Sequence, residues 1–130
     1  MADTQEMKAI VVEKFGGPEV LQLRTVPVPV PEEGQLLIKV MRAGVNPVET
    51  YKRTGTYARS PKLPYTPGSE AAGTVHAVSK GVTDFKVGDR VWVAGSVTGT
   101  YAQYTLCDAS SVFPLPKQAS FAQGVVSTAF

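Results

Sequence analysis

Glycine and proline recur so often along this chain that no long helix can be drawn through it. Twelve glycines and ten prolines cut the 130 residues into short segments. Between them lie β-branched runs bounded by turn residues, the pattern of an all-β barrel or sandwich. Residues 8–15 (KAIVVEKF) form one such run, stopped by Gly16-Gly17-Pro18. Residues 20–26 (VLQLRTV) alternate apolar with polar side chains and read as the returning strand. Pro27, Pro29 and Pro31 cannot donate ladder hydrogen bonds, so that stretch reads as an extended edge or linker. Further strands are expected over 35–41, 72–79, 89–94, 101–106 and 112–115.

Two helix starts interrupt this pattern. Asn46-Pro47-Val48-Glu49 places a capping side chain, a proline at the first helical position and a glutamate that completes a capping box. That helix should be short and end by Gly55. Residues 55–68, with Pro61, Pro64 and Pro67, then form an irregular loop. Ser120 and Gln123 make a second capping box, opening a helix at Phe121.

Charge and cysteine content remove several function classes. Thirteen basic and eleven acidic residues give a net charge of +2, too even to point to nucleic acid or an anionic membrane. A single cysteine, Cys107, excludes an internal disulfide framework and a multi-cysteine zinc site. The polar first residues and the lack of a long apolar run predict neither a leader nor a membrane span, hence a cytoplasmic location. With one histidine, no histidine-based zinc site is expected, and neither a Walker A sequence nor a G-x-G-x-x-G phosphate cradle occurs. His76 lies on the polar face of its strand and reads as an exposed strand histidine; Cys107 reads as a small core filler. Val45, Val48, Val125, Val126 and Phe130 are expected to leave a partly wet apolar face.

Five motifs in order carry more information: GGPEVL, GVNPVETY, GTY, PYTPGSEAAG and GDRV. Together they resemble the medium-chain dehydrogenase/reductase superfamily, most closely its zinc-free quinone oxidoreductase (zeta-crystallin) branch, from about Lys8 to Gln123. The resemblance implies a mostly-β fold, the GroES-like, partly open β-barrel with short helices that forms the catalytic-side domain of these enzymes. It implies a domain over residues 1–123 and a divergent or truncated tail over 124–130, where a Rossmann domain would begin. Such a tail would mark either a natural isoform or an engineered truncation.

The same resemblance suggests the site. Tyr51 is expected to contact the nicotinamide end of NADPH; the competing reading makes Val48 and Tyr51 an apolar core stripe. Asn46 is either a helix cap alone or a cap whose amide also faces the cofactor. Tyr57 either donates its phenol proton to a quinone oxygen or simply packs in its loop. Lys52, Arg53, Arg59 and Lys62 are either a solvated basic face or a funnel for an anionic cofactor. Zinc-dependent relatives carry a metal-binding cysteine where Val45 or Asn46 falls and a histidine where Ser69 falls, so no metal is expected here. Glu70 is then expected to serve as a structural hydrogen-bond acceptor. Without a Lewis acid, a quinone or conjugated enone is a better hydride acceptor than a simple ketone, because its phenolate or enolate product is stable enough for hydrogen bonds to suffice. The function implied is NADPH-dependent reduction of a quinone-like small molecule, inactive without the Rossmann domain, with a family-like homo-oligomer for the whole enzyme. The alternative is a non-catalytic GroES-like interaction module.

Overall fold

A computed structural model describes residues 5–126. Strand β1 (Glu6–Val11) turns through a short 3-10 segment at Pro18–Val20 into β2 (Gln22–Pro27). These two pair antiparallel, with Ala9 opposite Arg24. Strands β3 (Gln35–Ala43), β4 (Ala71–Val78), β5 (Arg90–Val93), β6 (Tyr104–Asp108) and β7 (Val112–Pro114) form a second antiparallel sheet in the order β6-β3-β4-β5-β7. Helix α1 (Pro47–Thr54) follows β3 and helix α2 (Phe121–Val126) follows β7. A bridge from Ala9 to Ala102 ties the small sheet to the segment leading into β6, and the whole is a curled half-barrel. The expectation of a mostly-β, partly open barrel with short helices holds.

Two strand boundaries differ from expectation for one reason. Val12 leaves the β1–β2 ladder to exchange hydrogen bonds with Tyr65, its N–H donating at 2.8 Å and its carbonyl accepting at 3.1 Å. Similarly, residues 101–103 pair with β1: Ile10 N–H donates to the Tyr101 carbonyl at 2.8 Å and Gln103 N–H to the Lys8 carbonyl at 3.1 Å. Each segment is therefore a connection between sheets, and regular pairing with β3 begins at Tyr104.

The core lies where the large sheet curls over itself. Leu36, Ile38, Ala71, Val75, Val91, Val93, Cys107 and Val112 pack there, with Val40, Val82 and Phe85 at its margin. Burying each large aliphatic side chain contributes about 1.5–3 kcal/mol. The exposed Arg24–Glu13 ion pair (3.4 Å) contributes little by comparison. The GDRV motif feeds this core. Gly88 turns at φ +96°, and the Asp89 carboxylate accepts from the Lys86 N–H at 3.0 Å. Val91 is fully buried. The Arg90 guanidinium donates to the carbonyls of Pro116 (3.0 Å) and Ala119 (2.6 Å) and stacks on Phe121 at 4.6 Å.

Small residues let these layers approach. A Cβ on Gly124 would meet Leu115 at 2.8 Å and Ala72 at 3.2 Å, so α2 sits directly on β4. Val125 is consequently 7% exposed, against the expectation of a wet cluster, while Val45 (76%) and Val126 (56%) are exposed. Val48 is half-buried, and Phe130 lies outside the described residues. Helix α2 runs across the expected 123/124 boundary, and both its buried residues, Gly124 and Val125, lie beyond it.

The tightest approach is at Gly73, where a Cβ would stand 1.9 Å from the Lys39 backbone carbonyl oxygen. Gly73→Ala must therefore push β3 and β4 apart and should cost about 3 kcal/mol in denaturant unfolding. Gly95→Ala, whose added Cβ would meet only Ser111 at 3.8 Å, should change stability by no more than about 1 kcal/mol. Equal effects of the two would remove the close-approach argument.

Candidate functional site

Helix α1 forms as its local sequence dictates. Asn46 caps it from extended backbone (φ −121°, ψ 155°), Pro47 opens it, and the Asn46–Glu49 capping box closes, with the Asn46 N–H donating to the Glu49 carboxylate. Gly55, left-handed at φ +81°, ends it, and its N–H donates to the Lys52 carbonyl at 3.2 Å. A Cβ at Gly55 would press on the Phe15 ring at 3.0 Å. The Gly16 N–H donates to the Arg53 carbonyl at 2.9 Å, and Arg53 Nε donates back to the Gly16 carbonyl at 3.3 Å. Arg53 thus fastens α1 to the β1–β2 turn.

The helix presents different chemistry on its two sides. Tyr51 is 53% exposed, so it is no part of a core stripe with Val48. Tyr57, 37% exposed, lies under the Lys52 ammonium, which sits 5.5 Å from its ring centroid. Asn46 is half-buried. Glu49, by contrast, is 6% exposed. Desolvation raises its carboxyl pKa above the usual 4.5, opposed by the Asn46 backbone hydrogen bond and Lys52, with Glu70 adding to the rise.

Glu49 lines a cleft of about 710 Å³. Its walls are Met7, Val11 and Val26 of the small sheet, the proline loop through Pro61, Pro64, Tyr65 and Pro67, and the turn over Ser96 to Gly99. Two loops meet at its floor. Thr100 and Tyr101 N–H groups both donate to the Pro67 carbonyl at 3.0 Å. Gly68 (φ +99°) and Gly99 (φ +97°) are required there, since Cβ atoms would stand 2.1 Å from Thr100 Oγ1 and 2.2 Å from the Thr66 carbonyl. Burial raises the phenol pKa values of Tyr65 and Tyr101, with the Glu49 charge adding to both and Arg53 opposing.

Of the candidate site residues singled out from sequence, Lys52, Arg59 and Ser69 line this cleft; Asn46, Tyr51, Tyr57, Arg53, Lys62 and Glu70 do not. Two of the four basic residues, Lys52 and Arg59, thus lie at the cleft. Glu70 accepts from the Gly44 N–H at 2.9 Å through its backbone carbonyl. His76 is exposed and lies 4.7 Å from the Tyr104 ring. Cys107 is fully buried, and desolvation, chiefly, with the Asp108 charge pushes its thiol up to about 12. Among the described residues no three histidine, cysteine or acidic side chains cluster as a metal would require. Nor is any helix among them long and apolar enough to cross a membrane. Sequence reasoning missed Glu49 and Tyr65 as cleft residues. Glu49 was visible only as a cap, and Tyr65 carried no signal beyond its place in PYTPG.

Comparison with known proteins agrees with this fold. Residues 32–117 match the alcohol dehydrogenase GroES-like domain. The chain is 54% identical over 119 residues to the quinone oxidoreductase of Lama guanicoe and 52% identical to that of Homo sapiens. Each match covers 91% of this chain and 36% of the relative, so the chain spans about a third of the length of the curated relatives it matches. The crystal structure of Escherichia coli quinone oxidoreductase complexed with NADPH superposes with a TM-score of 0.87 at 38% identity, covering 92% of this chain and 36% of that one.

Two outcomes follow from burial. Cys107 should resist a disulfide reagent at pH 8 in the folded chain and react fully once denaturant unfolds it; rapid native labelling would contradict its environment. Because folding raises the Glu49 pKa, its contribution to stability is complete below about 4.5 and declines as pH rises through the raised value. Glu49→Gln should remove that decline, so denaturant midpoints of variant and parent should shift in the variant's favour between pH 4 and pH 7.

Proposed function

Because the chain belongs to the alcohol dehydrogenase GroES-like domain family, we propose that it is the catalytic-side domain of a zinc-independent, NADPH-dependent quinone oxidoreductase. The observation that carries this reading is the identity of about half its positions to quinone oxidoreductases, over a segment that includes α1. The exposure of Tyr51 on that helix, with a free face for a partner molecule, supports it. NADPH when bound supplies a hydride for a conjugated acceptor. The chain's own contribution is binding and orientation. Tyr51 and Asn46 offer a phenol and an amide to the nicotinamide end, and Asn46 is held by the capping box that fixes the entry to α1. Tyr57, its ring beneath the Lys52 ammonium, donates a phenol proton to the quinone oxygen as charge develops there.

The reading gives the 130 residues half of a site. They contain no glycine-rich cradle for the cofactor's pyrophosphate, where much dinucleotide binding energy resides. We expect no NADPH–quinone turnover from these residues by themselves, and turnover once they are joined to the nucleotide-binding domain of a quinone oxidoreductase. Failure of the joined protein to turn over, with both domains folded, favours a non-catalytic GroES-like module.

Tyr51→Phe tests the site within this reading. In the joined protein the lost hydroxyl should weaken NADPH binding by about 0.5–1.5 kcal/mol, the net worth of a neutral hydrogen bond. In the 130-residue chain the denaturant midpoint should move by no more than about 0.5 kcal/mol, since the side chain is exposed. Unchanged NADPH affinity would take Tyr51 out of the site.

A further inference from the structure

Helix α1 has eight residues, and a helix that short depends on tertiary contacts for its orientation. Glu49 is its only buried residue, however. Val48 is half-buried, and no apolar side chain of α1 is buried. Helix α2 offers the contrast, with Gly124 and Val125 buried and Gly124 seated on Ala72 of β4. Apolar packing holds α2; α1 relies on polar ties at its two ends.

At the N-terminal end the capping box sets the entry to the helix. At the other end the helix docks on the turn between β1 and β2. Gly16 meets Arg53 through both of its backbone groups: its N–H donates to the Arg53 carbonyl at 2.9 Å, and its carbonyl accepts from Arg53 Nε at 3.3 Å. The turn is a firm anchor. Val20 and Leu21 N–H groups donate to the Gly17 and Pro18 carbonyls at 3.1 Å, and the Gly17 N–H donates to the Glu19 carboxylate at 3.2 Å. A Cβ on Gly16 would stand 2.8 Å from buried Val20, so a larger residue there would shift the turn. Tyr51 lies two residues before Arg53. Its carbonyl accepts from the Thr56 N–H at 3.1 Å and the Thr54 hydroxyl at 3.2 Å, so its backbone belongs to the segment that this tie holds.

We infer that Arg53 is a positioning residue of the site: tied to Gly16, it sets the angle at which α1 presents Tyr51 to the cofactor. The inference rests on the proposed contact between Tyr51 and NADPH. It gives the GGPEVL turn a part in the site, as the anchor for α1. A guanidinium suits the task, since its donors lie in a rigid plane, whereas a lysine ammonium is a point charge on a flexible stem.

Two measurements test it. In the 130-residue chain, Arg53→Met keeps a long stem and removes the donor. Amide hydrogen exchange at Gly16, Gly55 and Thr56 should quicken by at least about fivefold, as local opening no longer breaks that hydrogen bond. Exchange at Val75, whose N–H donates to the Asp89 carbonyl at 2.9 Å, should not change. In the protein joined to a nucleotide-binding domain, Arg53→Met should weaken NADPH binding by about twofold to tenfold, the range open to a misplaced neutral hydrogen bond. The double variant with Tyr51→Phe should bind within about twofold of Tyr51→Phe alone, because both act through one contact. Arg53→Lys keeps the charge at the helix end without Nε and should recover only part of the lost affinity; full recovery makes charge the cause and overturns the inference. Unchanged exchange around α1 also overturns it, as do additive effects in the double variant. So does unchanged NADPH affinity in Arg53→Met while Tyr51→Phe weakens binding. If Tyr51→Phe itself leaves affinity unchanged, the cofactor reading fails and takes the inference with it. Should Arg53→Met fail to fold, Arg53→Gln serves in its place.

Discussion

The structure depends on one close approach of two backbones. Strands β3 and β4 pair in the middle of the large sheet; β6 adds to the outer edge of β3, and β5, followed by β7, adds to β4. Their ladder shifts register between Leu37 and Ile38 and again between Val40 and Arg42, the second shift beside Gly73. Such irregularities add local twist, which a sheet needs in order to curl. Curling brings one strand's backbone over the other, and only a residue without Cβ tolerates the Lys39 carbonyl at that distance. The half-barrel, and so the positions of α1 and α2 at the ends of β3 and β7, follow from that contact.

Helix α1 then divides the chemistry of the molecule. Its cap glutamate turns inward, where desolvation and the cleft dominate its behaviour. Its tyrosine turns outward, where only a partner molecule could cover it. The helix is held at both ends, by the capping box at Asn46 and by Arg53 against Gly16. A short helix is marginal on its own. Here tertiary anchors fix its orientation, so the inward and outward sets of groups keep their separation.

Much of the fold was legible because its signals are contiguous. Both capping boxes, the Gly55 stop and the turn at Gly16-Gly17-Pro18 lie within a few residues of the structures they set, and each stands where it was read. What escaped depends on distant partners. Val125 looked exposed because nothing near it announces Ala72, whose small side chain lets α2 descend. The segments at Val12 and Tyr101 looked like strands because their own residues suit strands; Val12 pairs with the loop backbone at Tyr65, and the Tyr101 segment pairs with β1 of the other sheet. The cleft was illegible for the same reason, since its walls come from five separate stretches of the sequence. Gly68 and Gly99 were visible as turn residues, yet only the pairing of their loops shows what their missing side chains leave room for.

The Arg90 clasp has a consequence for how the molecule meets its solvent. Where an arginine anchor grips a carboxylate, dissolved ions weaken the pair and acid releases it. Arg90 grips carbonyl dipoles and the face of an aromatic ring instead. None of those partners titrates, and none is a counter-charge that salt can screen away. The joint between β5 and α2 is therefore indifferent to brine and to mild acid, while the Glu49 end of the molecule answers to protons. One half-barrel so carries a fixed seam and a responsive one.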